Sequence, residues 1–165
     1  MQIALSILLH ILLAIEVVFY IIPIKSNDTW YGWGEFSKEV KQLQKEYPGN
    51  FVFSTDNYKT SAILNFYLKE DVYAQNIVGE NALQFDYIES DKAILKGKNA
   101  LYIDSDTQLN SNTKKGSIPD HIKPYFNDII ELEPISIKKG NREVRKFWVY
   151  LCKNYKGKPL ENTTN

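Results

Sequence analysis

The sequence predicts an α/β protein, with an N-terminal transmembrane helix followed by a small mixed-sheet α/β domain that is closed by an antiparallel hairpin. Three observations support this prediction. The first 24 residues are apolar and almost uncharged, short apolar runs then alternate with helical patterns, and a late glycine turn joins two further strand patterns. We expect three regions: a transmembrane helix over 1–24, an extracytoplasmic domain over 25–157 and a disordered tail over 158–165.

The segment 3–24 is 22 residues long. At about 1.5 Å per residue it spans roughly 33 Å, enough to cross the hydrocarbon core of a bilayer. The alternative, a cleaved signal peptide, fits less well because no Lys or Arg precedes the run and no small-residue cleavage site follows it. Ser6, His10 and Glu16 lie within the span. They favour hydrogen bonding to other helices of a larger assembly, and a proton or substrate path is the functional alternative.

Apolar spacing defines the first half of the domain. A four-three-four spacing of apolar residues over 35–47 predicts an amphipathic helix, and a turn follows it at Pro48 and Gly49. A second helix is predicted over 58–68, and the apolar face expected to be buried comprises Ala62, Ile63, Phe66 and Tyr67. Short apolar runs predict buried strands over 51–54, 72–74 and 99–103. The segment 85–88 is apolar but ambiguous.

The second half of the domain begins with a polar segment over 104–117, which is expected to be a loop. A short helix can follow over 118–125, and a fourth strand is predicted over 128–133. The last unit alternates over 135–138, turns at 139–141 and continues as a long apolar-aromatic run over 144–155. This pattern predicts a β-hairpin with glycine in its turn, which we expect at one edge of an otherwise mostly parallel sheet.

Composition and motifs exclude several functions. The 20 basic and 20 acidic side chains balance, which argues against a nucleic-acid partner. Cys152 is the single cysteine, so there is no disulfide framework, and its apolar surroundings in the sequence predict a buried thiol. The sequence has no glycine-rich phosphate loop, GxSxG, HExxH or paired-cysteine motif. We therefore predict no catalytic residue, no metal site and no cofactor in this chain.

The most informative local pattern runs from Ser54 to Lys59, where a predicted strand ends and a helix begins. Open α/β sheets place their ligands at such points. Asp56 can hydrogen-bond a sugar there, or it can simply cap the helix, and Tyr58 can be a core aromatic residue with a polar tip. The residues alone leave both interpretations open.

The order of five segments resembles a known family. After the apolar span come GWGEFSKEV, FVFSTDNYKTSAILNFYL, QNIVGENALQFDYIE, GKNALYID and the closing FNDIIELEPISIKKGNREVRKFWVYLCKNYKG. Over about residues 3–157 the chain resembles the C-terminal end of bacterial membrane glycosyltransferases of the dolichyl-phosphate-mannose–protein mannosyltransferase-like, or aminoarabinose-transferase-like, family (glycosyltransferase family thirty-nine). The order and spacing of the segments carry this resemblance, since each motif alone has low specificity.

The resemblance implies part of an integral membrane enzyme that transfers a sugar from a polyprenyl-phosphate carrier, with the soluble domain on the extracytoplasmic side of the cell membrane. The implied partners are the lipid bilayer, other transmembrane helices of a glycosyltransferase and the lipid-linked sugar. The family's catalytic carboxylate lies in an upstream loop outside this sequence, so no catalytic residue is carried over. Asp56, Tyr58, Gln84 and Asp86 match family-like positions and are the candidate substrate-binding residues.

Two other functions remain open on the sequence. One is a non-enzymatic single-pass membrane protein whose extracytoplasmic domain binds a partner or a glycan. The other is a secreted α/β protein behind an uncleaved signal.

Overall fold

The computed structural model describes residues 2–22, 30–56, 58–88, 92–107, 109 and 118–157. They form a mixed α/β structure with a six-stranded mixed sheet and an N-terminal apolar helix, which confirms the predicted class at that level. The predicted tail, 158–165, lies outside the described residues, as do 23–24 of the predicted span and most of the polar segment 104–117. The helices are α1 (Gln2–Phe19), α2 (Trp33–Glu46), α3 (Lys59–Leu68) and α4 (Phe85–Ile88). The strands are β1 (Phe51–Phe53), β2 (Val72–Tyr73), β3 (Ala100–Ser105), β4 (Asp128–Glu131), β5 (Ile135–Lys139) and β6 (Arg142–Lys153).

Helix α1 is apolar along its length, with a mean hydropathy of 2.3, and none of its residues is buried. Among the described residues it is the one helix long and apolar enough to cross a membrane; a signal sequence near the N-terminus has the same properties. Two of its polar side chains, His10 and Glu16, form hydrogen bonds within the same segment. The His10 ring bonds the Ser6 carbonyl at 2.7 Å, and the Glu16 carboxylate accepts the N–H groups of Ile21 and Ile22 at 3.1 Å.

An aromatic cluster joins α1 to the sheet. Tyr20 directly follows α1 and is buried, and its ring is stacked on Tyr31. The Trp30 ring meets Tyr20 edge-on, with centroids 6.1 Å apart. The Lys139 ammonium lies 5.8 Å from the Tyr20 centroid and 5.1 Å from that of Tyr31. The end of α1 is therefore held against β5 by stacking and cation–π contacts.

Helix α2 begins two residues before its predicted start, because Trp33 joins Phe36 and Val40 on the buried face. The Phe36 ring is stacked on Phe147 of β6, with centroids 3.7 Å apart. Gly32 precedes the helix with φ of 81°, a left-handed conformation that favours glycine. This start fixes α2 across one face of the sheet.

The buried face of α3 differs from the prediction. Phe66 is 75% exposed and Tyr67 45% exposed, and the buried residues are instead Thr60, Ser61, Leu64 and Leu68. The polar members of this face have partners, since the Ser61 hydroxyl donates to the Tyr73 carbonyl at 2.7 Å and Thr60 binds Asp56. Burying a hydroxyl group that keeps a hydrogen-bond partner costs little free energy. The buried face of α3 can therefore contain polar as well as apolar residues.

The sheet has the order β2-β1-β3-β6-β4, and β5 also pairs with β6. Strand β1 is parallel to β2 and to β3, and the other pairings are antiparallel. Strand β3 continues through Asp104 and Ser105, which the sequence assigns to a loop, because both pair with β6. The segment 85–88 is helical, and the short helix predicted over 118–125 is reduced to one turn of 3-10 helix, Lys123–Tyr125.

The strands β5 and β6 are antiparallel neighbours, but β6 does not lie at an edge of the sheet. Its 12 residues pair with β3 on one side and with both β4 and β5 on the other. The β5 contacts use the first half of β6, and the β4 contacts use its last four residues. A long strand can hold two short strands end to end, so β6 is an inner strand.

Both faces of the sheet are covered, because side chains of each strand alternate between two apolar cores. One core contains α2, α3 and the β3 residues Leu101 and Ile103. The other contains the 3-10 helix Gln75–Val78, the residues before β4, and Tyr102 of β3. Cys152 lies in the second core with a free, buried thiol, as predicted. Burial raises the pKa of this thiol to about 12, so it stays protonated at neutral pH.

Candidate functional site

The carboxyl ends of β1 and β3 form the point where the chain path along the sheet reverses. From β1 the chain passes outwards to β2 through α3, and it then returns past β1 to β3. The two connections cover opposite faces of the sheet, since α3 packs in one core and the Gln75–Val78 helix in the other. Ligands of open α/β sheets bind in the crevice at such a reversal. Asp56 follows β1 and Asp104 lies in β3, so this crevice is the candidate site.

Asp56 is held by the start of α3. The backbone N–H of Thr60 and the hydroxyl of Ser54 each donate to its Oδ1 at 3.2 Å, and the Thr60 hydroxyl donates to its Oδ2. Burial raises the pKa of this carboxyl although these hydrogen bonds and Lys59 act in the opposite direction. Both oxygens of Asp56 are thus engaged, and one of them accepts a backbone N–H of the first turn of α3, while the N-cap position itself is Tyr58.

Asp104 is a carboxylate without such support. It is partly buried, and no residue in the described part of the chain forms a hydrogen bond to its carboxylate. Burial and the charges of Asp56 and Asp106 raise the pKa of Asp104 to about 6. This carboxyl therefore changes its charge near pH 6, and its oxygens are available to accept a hydrogen bond from a ligand.

Thr55 connects two further polar groups at the same edge. Its hydroxyl lies 2.7 Å from the Tyr102 hydroxyl and 3.2 Å from Nε2 of His121. Burial and the nearby Asp104 raise the pKa of Tyr102, so its phenol stays neutral. Hydroxyl and imidazole groups both donate and accept hydrogen bonds, which suits ligands that carry several hydroxyl groups. Across the described residues, no group of three or more His, Cys, Asp and Glu side chains is placed to hold a metal ion.

The other predicted site residues, Tyr58, Gln84 and Asp86, are exposed. Tyr58 precedes α3 and is 42% exposed. Gln84 and Asp86 are exposed, and the Asp86 carboxylate accepts the N–H of Ala82 at 3.0 Å. Ala82 and the neighbouring Phe85 pack against Ala74, the residue that follows β2. Asp56 and Tyr58 thus follow β1, whereas Gln84 and Asp86 belong to the segment that packs on the residue after β2.

A cleft of about 610 Å³ opens beside α4. Asp86 lines it together with Asn76, Lys92, Lys96 and Tyr155. The Tyr155 hydroxyl donates to the carbonyl of Ile77, so one wall of the cleft is anchored in the second core. Of the predicted site residues, Asp86 is the one that lines this cleft.

Asp104, Tyr102 and His121 are site residues that the sequence patterns do not predict. The apolar run before Asp104 predicts strand β3. If that strand is extended to Ser105, it places Asp104 at the carboxyl end of β3. His121 approaches Thr55 from 66 residues further along the chain, and no local pattern indicates that contact.

Comparison of the chain with family models, curated proteins and solved structures gives no match in any of the three.

Proposed function

We propose that this chain is the C-terminal portion of an integral-membrane glycosyltransferase that transfers a sugar from a polyprenyl-phosphate donor. Its soluble domain then caps the active site or helps to select the acceptor. The observation that carries the proposal is the junction at Tyr20, where an apolar helix with no buried residue passes directly into a folded α/β domain. An apolar helix surface of this kind is stable in lipid or against other apolar helices. The order of the sequence motifs supplies the enzyme class.

The same junction supports a location at the membrane surface. Trp30 is 49% exposed and packs on Tyr20 at the end of α1. Exposed tryptophan beside the end of a spanning helix suits the headgroup layer. In this proposal the α/β domain lies on the extracytoplasmic side, and α1 packs with the remaining transmembrane helices of the enzyme.

The crevice at the carboxyl ends of β1 and β3 suits a polyhydroxyl acceptor. Asp104 accepts hydrogen bonds, and Thr55 and His121 can donate or accept them. The exposed Tyr58, Gln84 and Asp86 then contact the acceptor or the catalytic loops. Asp56 contributes by fixing the start of α3 rather than through a free oxygen.

Sugar transfer from a lipid phosphate needs a base for the acceptor hydroxyl and positive charge for the leaving phosphate. Asp104, with its pKa raised to about 6, is only a weak base, and the ammonium of Lys59 lies over the Trp33 ring. A groove for the lipid carrier also needs several helices. We therefore expect the purified chain to have no transferase activity with a lipid-linked donor.

Two measurements test the proposal. The coding region directly upstream is expected to encode further apolar spans and an early acidic loop, in frame with this chain or adjacent to it. Protease digestion of intact spheroplasts is expected to cleave the domain while α1 stays protected. Sugar transfer by the purified chain alone, or a full-length chain that is freely water-soluble, contradicts the proposal.

A second candidate function is a non-enzymatic single-pass membrane protein whose extracytoplasmic domain binds a partner or a glycan. The outer face of α3 favours it, because Phe66 is 75% exposed and its ring meets Tyr67 edge-on at 5.2 Å. Exposed aromatic groups mark interaction surfaces more often than ordinary surface. An unrelated upstream gene with its own promoter supports this alternative over the enzyme.

A further inference from the structure

A groove lies where α1 meets the turn between β5 and β6. It has a volume of about 700 Å³. One wall is the end of α1, and the other is the hairpin; the residues that matter are Phe19, Tyr20, Ile21, Lys139, Asn141 and Arg142. None of the predicted site residues takes part in it.

The groove carries two positive charges on its hairpin wall. The Lys139 ammonium donates to the Tyr20 carbonyl at 3.2 Å, and the Arg142 guanidinium donates to the Ile21 carbonyl at 3.2 Å. Within the described ranges, neither side chain forms an ion pair with a carboxylate. The carbonyl contacts fix both cations beside the end of the apolar helix.

The helix wall of the groove is apolar and exposed. Phe19 is 59% exposed and Ile21 is 56% exposed. The groove therefore combines an apolar surface that continues α1 with cations immediately beyond it. That arrangement matches the boundary between acyl chains and headgroups in a bilayer, where basic groups next to a spanning helix attract anionic lipids.

We propose that this groove binds the headgroup phosphate of an anionic membrane phospholipid, with the acyl chain along Phe19 and Ile21. The inference rests on the proposed function only in requiring α1 to lie in the membrane. A water-soluble phosphate gains from Lys139 and Arg142 but nothing from the apolar wall. The lipid phosphate is therefore the ligand that uses both walls of the groove.

Native mass spectrometry of the delipidated full-length chain in detergent tests this inference. The probes are phosphatidylglycerol, phosphatidylcholine and inorganic phosphate. We expect phosphatidylglycerol to bind about tenfold more tightly than phosphatidylcholine, and equimolar inorganic phosphate not to displace it. Equal binding of the two lipids, or displacement by inorganic phosphate at that concentration, overturns the assignment.

Three variants locate the site. Arg142→Gln is expected to weaken phosphatidylglycerol binding about fivefold, the effect of one basic group at an anionic surface. Lys98→Gln removes an exposed cation beside the opposite end of β6 and is expected to leave binding unchanged. Lys139→Arg retains the charge over the tyrosine rings and is expected to retain binding. Wild-type affinity in Arg142→Gln overturns the site.

The two proposals fail in different ways. If lipid selectivity is absent while α1 remains protected in the bilayer, the headgroup site is wrong and the membrane function stands. If the full chain is water-soluble, the membrane function itself is wrong.

Discussion

Tyr20 and Tyr31 stack with ring centroids 4.7 Å apart and ring planes 2° from parallel. The pair connects the end of α1 to the loop before α2, and Lys139 of β5 lies against both rings. Three separate segments thus meet at one aromatic stack. The direction in which α1 leaves the α/β domain depends on this contact.

Removal of the Tyr20 ring is expected to release α1 from the domain. Tyr20→Ala should lower the free energy of unfolding by about 3 kcal/mol, because a fully buried aromatic side chain is lost. It should also broaden the distance distribution between spin labels on Leu12→Cys and Lys156→Cys. Cys152 is buried and its pKa is raised to about 12, so we expect little background labelling of its thiol. Tyr20→Phe keeps the stack, so an equally broad distribution in that variant contradicts the prediction.

Gly32 and Gly49 give a matched test of packing at the start of α2. Both have positive φ, at 81° and 80°, so alanine strains the backbone equally at the two positions. A Cβ at Gly32 lies 3.1 Å from Ile137 and 3.3 Å from Arg145, whereas at Gly49 nothing lies within 4 Å. Gly32→Ala is therefore expected to cost at least about 1 kcal/mol more than Gly49→Ala in thermal unfolding. Equal costs exclude close packing at Gly32.

The exposed aromatic residues of α3 contrast with its buried leucine. Leu64 is fully buried and Phe66 is 75% exposed on the same helix. Leu64→Ala is expected to lower the free energy of unfolding by about 3 kcal/mol, and Phe66→Ala by less than about 0.5 kcal/mol. Circular dichroism melts of both variants in detergent measure the difference. A large loss of unfolding free energy in Phe66→Ala would mean that Phe66 is buried, as the sequence pattern predicted, and would contradict this expectation.

Asp104 is expected to make stability depend on pH. Its pKa is about 6 in the folded chain and near 3.8 in the unfolded chain, so the folded state binds the proton more tightly. Stability is then greatest below about pH 4 for this group, falls as the pH rises towards 6, and changes little above that. We expect Asp104→Asn to gain about 1–2 kcal/mol at pH 7.5, reduced from the value for a fully buried carboxylate because Asp104 is partly solvated.

Melting temperatures of wild type and Asp104→Asn at pH 5.0 and 7.5 measure this effect. The wild type should melt at a lower temperature at the higher pH, and the variant should show a smaller dependence. Asp71→Asn, at an exposed loop position, serves as the control. If the melting temperature changes equally with pH in wild type and in Asp104→Asn, a group other than Asp104 is responsible for the pH dependence.

Hydrophobic spacing predicted the parts of the fold that are decided locally. The spacing of Phe36 and Val40 gave α2, and the run at Phe51 gave β1, because both bury uninterrupted apolar surface. The α3 face was predicted incorrectly, since Ser61 and Thr60 are buried by bonds to Tyr73 and Asp56 that no periodicity shows. The inner position of β6 was not predicted either, because it depends on pairing with β3 and β4, which are distant in the sequence.

The candidate site was predicted in part for the same reason. Asp56 lies at a strand-to-helix transition that is visible in the sequence, and its hydrogen bonds to Thr60 are local. Asp104 reaches the same crevice only because β1 and β3 are neighbours in the sheet, and His121 only because its segment crosses the strand ends. These contacts depend on topology, which local patterns do not determine.

The inner position of β6 has a consequence for biosynthesis. Strands β3, β4 and β5 each hydrogen-bond to it, so on the ribosome they all present unpaired edges until residues 142–153 emerge. Helix α1 is translated long before that point, while the rest of the polypeptide is still incomplete. Nascent chains that stall just before Arg142 should therefore be the species that chaperones bind and proteases degrade.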